Sequence, residues 1–233
     1  KVLKEIPFVE NMKEMLQTLR EAYESHVDVE FTTNWLEDGT YKINLLQCRP
    51  FQMQEPPQMV VPLPEVEQEE IIFKAAGAVI GNSRKMPIHR LLYVVPSRYG
   101  KLSESKRYAV AKLIGTLTHA ERDNGRKIML IGPGRWGTST PSLGIPVSFS
   151  EINTASVLCE IDSMHEGLIP DLSLGTHFFN EMVEMNMLYI AYFVGRKENR
   201  FNEDFFMSMP NSLTSLLPEA REWEDTLKVI TQE

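Results

Sequence analysis

The stretch from Gln52 to Glu70, QMQEPPQMVVPLPEVEQEE, constrains the chain more than any other feature. Its prolines fix φ and withhold N–H donors, so neither a helix interior nor a sheet interior suits it. A segment of this composition reads as an extended linker, taken here over residues 52–74. It separates a short amino-terminal part, residues 1–51, from a longer part assigned as an α/β domain over 75–200 with a helical tail over 201–233. With 233 residues, of which 42% are hydrophobic, the chain has apolar material for one sizeable core or two small ones.

In the first part, Met12, Met15, Leu16, Leu19 and Tyr23 recur at helical spacing, which predicts an amphipathic helix from Asn11 to Tyr23. Val27 to Thr33 and Tyr41 to Cys48 are rich in β-branched and aromatic residues. Asp38-Gly39 between them is a two-residue hairpin signal. If those two residues form the loop, Glu37 faces Thr40, Glu30 lies opposite Gln47, and Asp28 lies opposite Arg49. Side chains alternate across a strand, so these four polar residues share one face and Val29, Phe31, Leu46 and Cys48 share the other.

A carboxylate and an amide oxygen are hard donors suited to Mg²⁺, and a neighbouring guanidinium can meet a phosphate in bidentate fashion. Glu30 and Gln47 are therefore candidate metal ligands, and Arg49 is a candidate phosphate contact. A solvated hairpin face carries the same residue types, and spacing alone leaves both readings open.

Beyond the linker, Arg90 to Val95 and Lys127 to Ile131 read as buried strands with a helix from Ser103 to about His119 between them. Strands are also expected at Val157 to Ile161 and Met187 to Phe193, separated by a helix from Thr176 to Met185. This alternation predicts an α/β or α+β fold with a mixed sheet. Pro218 opens a predicted final helix running through Ile230.

The run Gly132-Pro133-Gly134-Arg135-Trp136-Gly137-Thr138-Ser139 directly follows a predicted strand, which is a preferred ligand position. Gly132 and Gly134 would let backbone N–H groups approach an anion and Arg135 would neutralise it. The competing reading is a tight structural turn with Arg135 stacked on Trp136. His119 at a helix end and His177 at a helix start are further candidates, each set against a solvated or core histidine. Glu160 is a weaker one. Met182, Met185 and Met187 read as core filling.

A net charge of -8 disfavours nucleic acid or anionic membrane as a general partner. The two cysteines, Cys48 and Cys159, lie far apart with no zinc spacing, as expected of a reducing, cytoplasmic compartment. Neither a membrane-spanning run nor a signal peptide is expected.

The sequences V-D-V-E-F from Val27 to Phe31 and L-L-Q-C-R-P from Leu45 to Pro50 resemble the pattern that closes the ATP-grasp nucleotide-binding domain of pyruvate phosphate dikinase and phosphoenolpyruvate synthase. The resemblance implies that Glu30 and Gln47 hold a metal beside the nucleotide phosphates and that Arg49 contacts the transferred phosphate. It implies ATP and Mg²⁺ as cofactors of a longer parent polypeptide, a small-molecule phosphate acceptor, and a partner in the remainder of the ATP-grasp domain. The isolated chain is then a fragment expected not to turn over ATP.

In these dikinases a phosphohistidine follows in a T-x-H-A pattern, of which Thr118-His119-Ala120 retains only a part. G-P-G-R-W-G, L-G-I-P-V and G-T-H-F-F resemble the carboxy-terminal region of large bacterial phosphoenolpyruvate synthase-like proteins. The alternative function is a non-catalytic module that binds an anionic metabolite through the Gly132 to Ser139 loop.

Overall fold

A computed structural model describes residues 6–25, 27–50, 62, 64–120, 125–164, 172–174 and 176–232. It has two units, Lys1–Met53 and Gln54–Glu233. Residues 52–61 and 63 of the expected linker lie outside the described residues.

The first unit is one helix and one hairpin. Helix α1, Phe8–Tyr23, carries Glu10 in its first turn and Arg20 in its last, each matched to the helix dipole. Its apolar stripe lies against the hairpin of β1, Val27–Trp35, and β2, Tyr41–Pro50. Phe8 meets Phe31 and Tyr41 at ring separations of 6.2 and 6.0 Å, and Asn11 Nδ2 donates to Tyr41 Oη at 2.7 Å. The helix therefore lies on the Phe31 and Tyr41 side of the ribbon, yet none of its residues is fully buried.

The second unit is built on a six-stranded mixed sheet, so the chain has an α/β fold. In spatial order its strands are β12 (Leu227–Thr231), β5 (Arg90–Val94), β6 (Ile128–Pro133), β9 (Val157–Ile161), β10 (Leu188–Tyr192) and β4 (Val79–Ile80). The four central strands run parallel, and β12 and β4 close the edges antiparallel. The central strands are almost continuous in apolar residues because both sheet faces are covered.

On one face, Leu92, Val94, Leu130, Leu158, Tyr189 and Val229 pack against α3 (Glu104–Thr118), α4 (Phe149–Ile152) and α5 (His177–Glu184). Helix α3 turns Val110, Ala111, Ile114 and Leu117 inward at helical spacing. On the other face, Tyr93, Met129, Ile131, Cys159 and Tyr192 pack against α6 (Glu203–Ser208) and a small ribbon of β3 (Phe73–Lys74) and β11 (Arg200–Phe201). A short α2, Pro96–Tyr99, follows β5. The ribbon β7 (Arg135–Trp136) with β8 (Gly144–Ile145) follows β6.

The carboxy-terminal segment departs from the expected helical tail. Residues 201–233 contain α6 and α7 (Leu213–Leu216), but Pro218–Trp223 is a 3-10 turn and Leu227–Thr231 is edge strand β12. Leu-Lys-Val-Ile-Thr alternates at period two, which places Leu227 and Val229 in the helix-side core. Asn211 accepts from Val229 N through Oδ1 and donates to Leu227 O through Nδ2, each at 3.0 Å, so backbone groups on the open side of this edge are satisfied.

Candidate functional site

The hairpin pairs Glu30 with Gln47 and Asp28 with Arg49, but its turn is not the expected one. The ladder ends at Trp35 with Tyr41. Leu36 N donates to Thr40 O at 2.9 Å and Gly39 N to Leu36 O at 3.1 Å. With Gly39 at φ 82°, this is a three-residue loop of Glu37, Asp38 and Gly39. Asp38 Oδ1 accepts from Thr40 Oγ1 at 2.6 Å and Thr40 N at 2.9 Å, and these bonds hold its carboxyl below the ordinary range.

Such a loop shifts the register by one residue relative to a two-residue turn, and a β-bulge shifts it back. Phe31 pairs with Leu45 while Glu30 pairs with Gln47, leaving Leu46 as the extra residue. Leu46 thus leaves the expected apolar face and is 64% exposed. The two departures cancel, and the polar quartet forms as the simpler register predicts.

Because β1 is unbroken, Asp28, Glu30, Thr32 and Asn34 lie on one face with their partners Arg49, Gln47, Asn44 and Lys42. Helix α1 packs on the opposite face. Glu30 and Gln47 are exposed side by side, at the close spacing of a directly opposed cross-strand pair. Arg49 Nε donates to Asp28 Oδ2 at 3.1 Å, which steadies the guanidinium while leaving the side chain 39% exposed. The donor set suits a hard cation that completes its coordination with water and phosphate oxygens. Among the described residues no group of three or more His, Cys, Asp and Glu side chains is arranged to hold a metal.

The Gly132 to Ser139 loop is built differently from an anion cradle. Gly134 N donates to Ile161 O at 2.9 Å, Gly137 N to Ile145 O at 3.0 Å, and Trp136 N to Glu160 Oε1 at 2.9 Å. Three donors that an anion would need are therefore engaged within the fold. A Cβ on Gly132 would collide with Ile145 and Trp136, and one on Gly134, at φ 65°, with the Leu143 carbonyl. Close packing accounts for both glycines as parts of a packed turn. Arg135, half-buried in β7, belongs to the same turn.

Trp136 is 1% exposed and its Nε1 donates to Cys159 O at 3.2 Å. Glu160, fully buried, accepts from Trp136 N and Ser173 Oγ through Oε1, and from Ser173 N and Tyr189 Oη through Oε2. Burial outweighs these four hydrogen bonds and holds its carboxyl above the ordinary range. The Tyr189 phenol is pushed up by its own burial and by the Glu160 charge. Glu160 thus fastens two loops to β9.

No match to a known protein family, curated protein or solved structure was found. The geometry therefore has to carry the functional reading.

His119 ends α3 with Nδ1 at 3.1 Å from Gly115 O and Nε2 at 3.2 Å from Asn153 Oδ1, a helix-end arrangement with both ring nitrogens engaged. Residues 121–124, which follow it closely, lie outside the described residues, as does Gly175 before His177. His177 is the exposed first residue of α5, behind a Thr176 cap whose Oγ1 accepts from Phe179 N at 3.3 Å. Met182 and Met187 are core residues, whereas Met185 is 44% exposed.

Sequence reasoning did not find the cleft where β5, β9 and β10 end, which brings together Tyr93, Tyr192, Phe201 and Glu203. These residues come from four separate elements, and only the parallel order of the sheet makes them neighbours. Among the described residues no helix is long and apolar enough to cross a membrane.

Proposed function

We propose that the hairpin unit is one wall of an ATP-grasp nucleotide site and that the parent activity is ATP-dependent phosphotransfer of the dikinase type. The observation that carries this reading is the register that sets Glu30 opposite Gln47 and Asp28 opposite Arg49 on the ribbon face away from α1. Likeness of the flanking sequence to the closing segment of the dikinase nucleotide-binding domain supplies the chemistry.

In this reading Glu30 and Gln47 hold Mg²⁺, which when bound neutralises phosphate charge and polarises the phosphoryl group. Asp28 holds Nε of Arg49, so the outer N–H groups of the fork are directed to phosphate oxygens with little side-chain entropy left to lose. The role of Arg49 is electrostatic: it stabilises charge that builds on the transferred phosphoryl group. The phosphate-covering loop, further basic nucleotide contacts and the small-molecule acceptor site come from the remainder of the ATP-grasp domain and of the parent polypeptide.

The test is Mg²⁺-dependent ATP turnover by the full-length polypeptide. Arg49→Ala is expected to lower kcat at least about 100-fold, the usual effect of deleting one preorganised donor to the developing charge. Lys42→Ala, on the same ribbon face beyond the bulge, is expected to leave turnover within a few-fold of the parent. Unchanged turnover in Arg49→Ala overturns the assignment.

A further inference from the structure

The carboxyl ends of parallel strands are where α/β sheets present ligands, because the loops there diverge and leave a crevice. In the sheet unit that crevice is a cleft of about 400 Å³ at the ends of β5, β9 and β10, floored on the side of the sheet that faces α6. The volume lies in the range that encloses a small organic molecule.

Its chemistry is selective. Tyr93, Tyr192 and Phe201 supply aromatic surface, with Phe201 5.3 Å from Tyr93 and 5.9 Å from Tyr192, centroid to centroid. Ser97 and Ser163 add hydroxyl groups at the rim. Among the described residues the lining contains no Lys, Arg or His, and its one formal charge is the Glu203 carboxylate. Tyr93 Oη donates to Glu203 Oε1 at 3.1 Å, and among the described residues no other side-chain donor meets this carboxylate. Burial, and then the Glu203 charge, push the Tyr93 phenol up, so it stays protonated and keeps donating. Asp162, just behind the wall, adds a second negative charge, its Oδ1 fixed by Val194 N at 2.8 Å.

We propose that this cleft binds a small organic ammonium ion, held between the aromatic walls and the Glu203 carboxylate. Aromatic faces and a carboxylate both attract a weakly hydrated cation, and the apolar floor accommodates the carbon body that carries it. Among the described residues an anion would meet only negative charge here, so the site differs in kind from the phosphate-facing wall proposed for the hairpin. It does not depend on that reading.

The test is titration of the 233-residue chain with choline chloride, followed by amide NMR at constant ionic strength. Inorganic phosphate and glycerol serve as the anionic and neutral probes. Choline is expected to shift Tyr93, Ser163, Tyr192 and Val194 saturably, and phosphate and glycerol are not. Glu203→Gln is expected to weaken choline about fivefold with an unchanged Tm, since Glu203 is exposed. Tyr93→Phe, which frees the carboxylate from its fastening, is expected to weaken it about twofold and guards against an effect of the first substitution on the fold. No saturable shift up to about 100 mM choline overturns the proposal. So does equal binding by Glu203→Gln, or tighter binding of phosphate than of choline.

Discussion

The same residue types do different physical work in the two units. Trp35 is 53% exposed on the hairpin, whereas Trp136 is 1% exposed in the turn after β6. Glu30 faces outward beside Gln47, whereas Glu160 is fully buried under four hydrogen bonds. Cys48 is half-buried, while burial, and then the charge of neighbouring Glu160, raise the thiol of Cys159 well above the ordinary value. The hairpin places polar groups where a ligand could meet them, and the sheet unit uses its buried ones as fasteners. Surroundings, rather than residue type, separate a candidate ligand from a structural group.

Trp136→Ala should produce the largest effect on stability. It removes a large indole from a site already closed by Ile145 and a glycine, with little room for collapse, and removes the Nε1 bond to the Cys159 carbonyl. A loss of about 3–5 kcal/mol is expected for the sheet unit. Urea unfolding followed by circular dichroism would measure it. Trp35→Ala in the hairpin should cost less than about 1 kcal/mol. Equal losses would show that the two tryptophans are not differently housed and would break the comparison.

The sheet was legible where apolar runs were long. Val157 to Ile161 appears as the strand read from the sequence, and α3 and α5 fall within a residue or two of their expected ends. Edge strand β12 was not legible. The segment Thr226 to Ile230 combines a helical-looking spacing with an alternating one, and the alternation prevails only because β5 offers an open ladder. The polar pairs of the hairpin were legible for a partly wrong reason, since the loop and the bulge each shift the register and compensate.

Glu160 did leave a signal: one carboxylate inside the otherwise apolar run Val-Leu-Cys-Glu-Ile. What fastens it was hidden, because its donors sit 13 to 29 residues away. The cleft residues left none, since no local pattern records which strand ends become neighbours.

A smaller effect is expected of Glu160→Gln. Whichever way the amide turns, its NH₂ faces a backbone N–H, that of Trp136 at one oxygen position or of Ser173 at the other, and neither can rotate away. A loss of about 1–3 kcal/mol follows. The pH dependence is diagnostic. With its folded-state value raised, Glu160 contributes fully at pH below the ordinary carboxylate value of 4.5. That contribution is lost as pH rises through the raised value, because the unfolded chain ionises first. The gap in stability between the parent and Glu160→Gln should therefore narrow as pH rises from 4.5 to the raised value and stay level beyond it. A widening gap would mean that the four hydrogen bonds outweigh burial.

The smallest effect belongs to the hairpin ion pair. Asp28 and Arg49 are 21% and 39% exposed, so solvent screens their attraction and side-chain entropy opposes it. A double-mutant cycle on Asp28→Ala and Arg49→Ala, read by thermal unfolding, should give a coupling of about 0.2–1 kcal/mol, falling as salt is raised. This number bears on function as well as stability. A weak, partly exposed pair steadies Nε of Arg49 while its outer N–H groups stay open to a ligand, as the proposed reading needs. A coupling above about 2 kcal/mol that ignored salt would place the pair among the fasteners, alongside Glu160, and would remove the distinction between the units at the residue on which the functional reading depends.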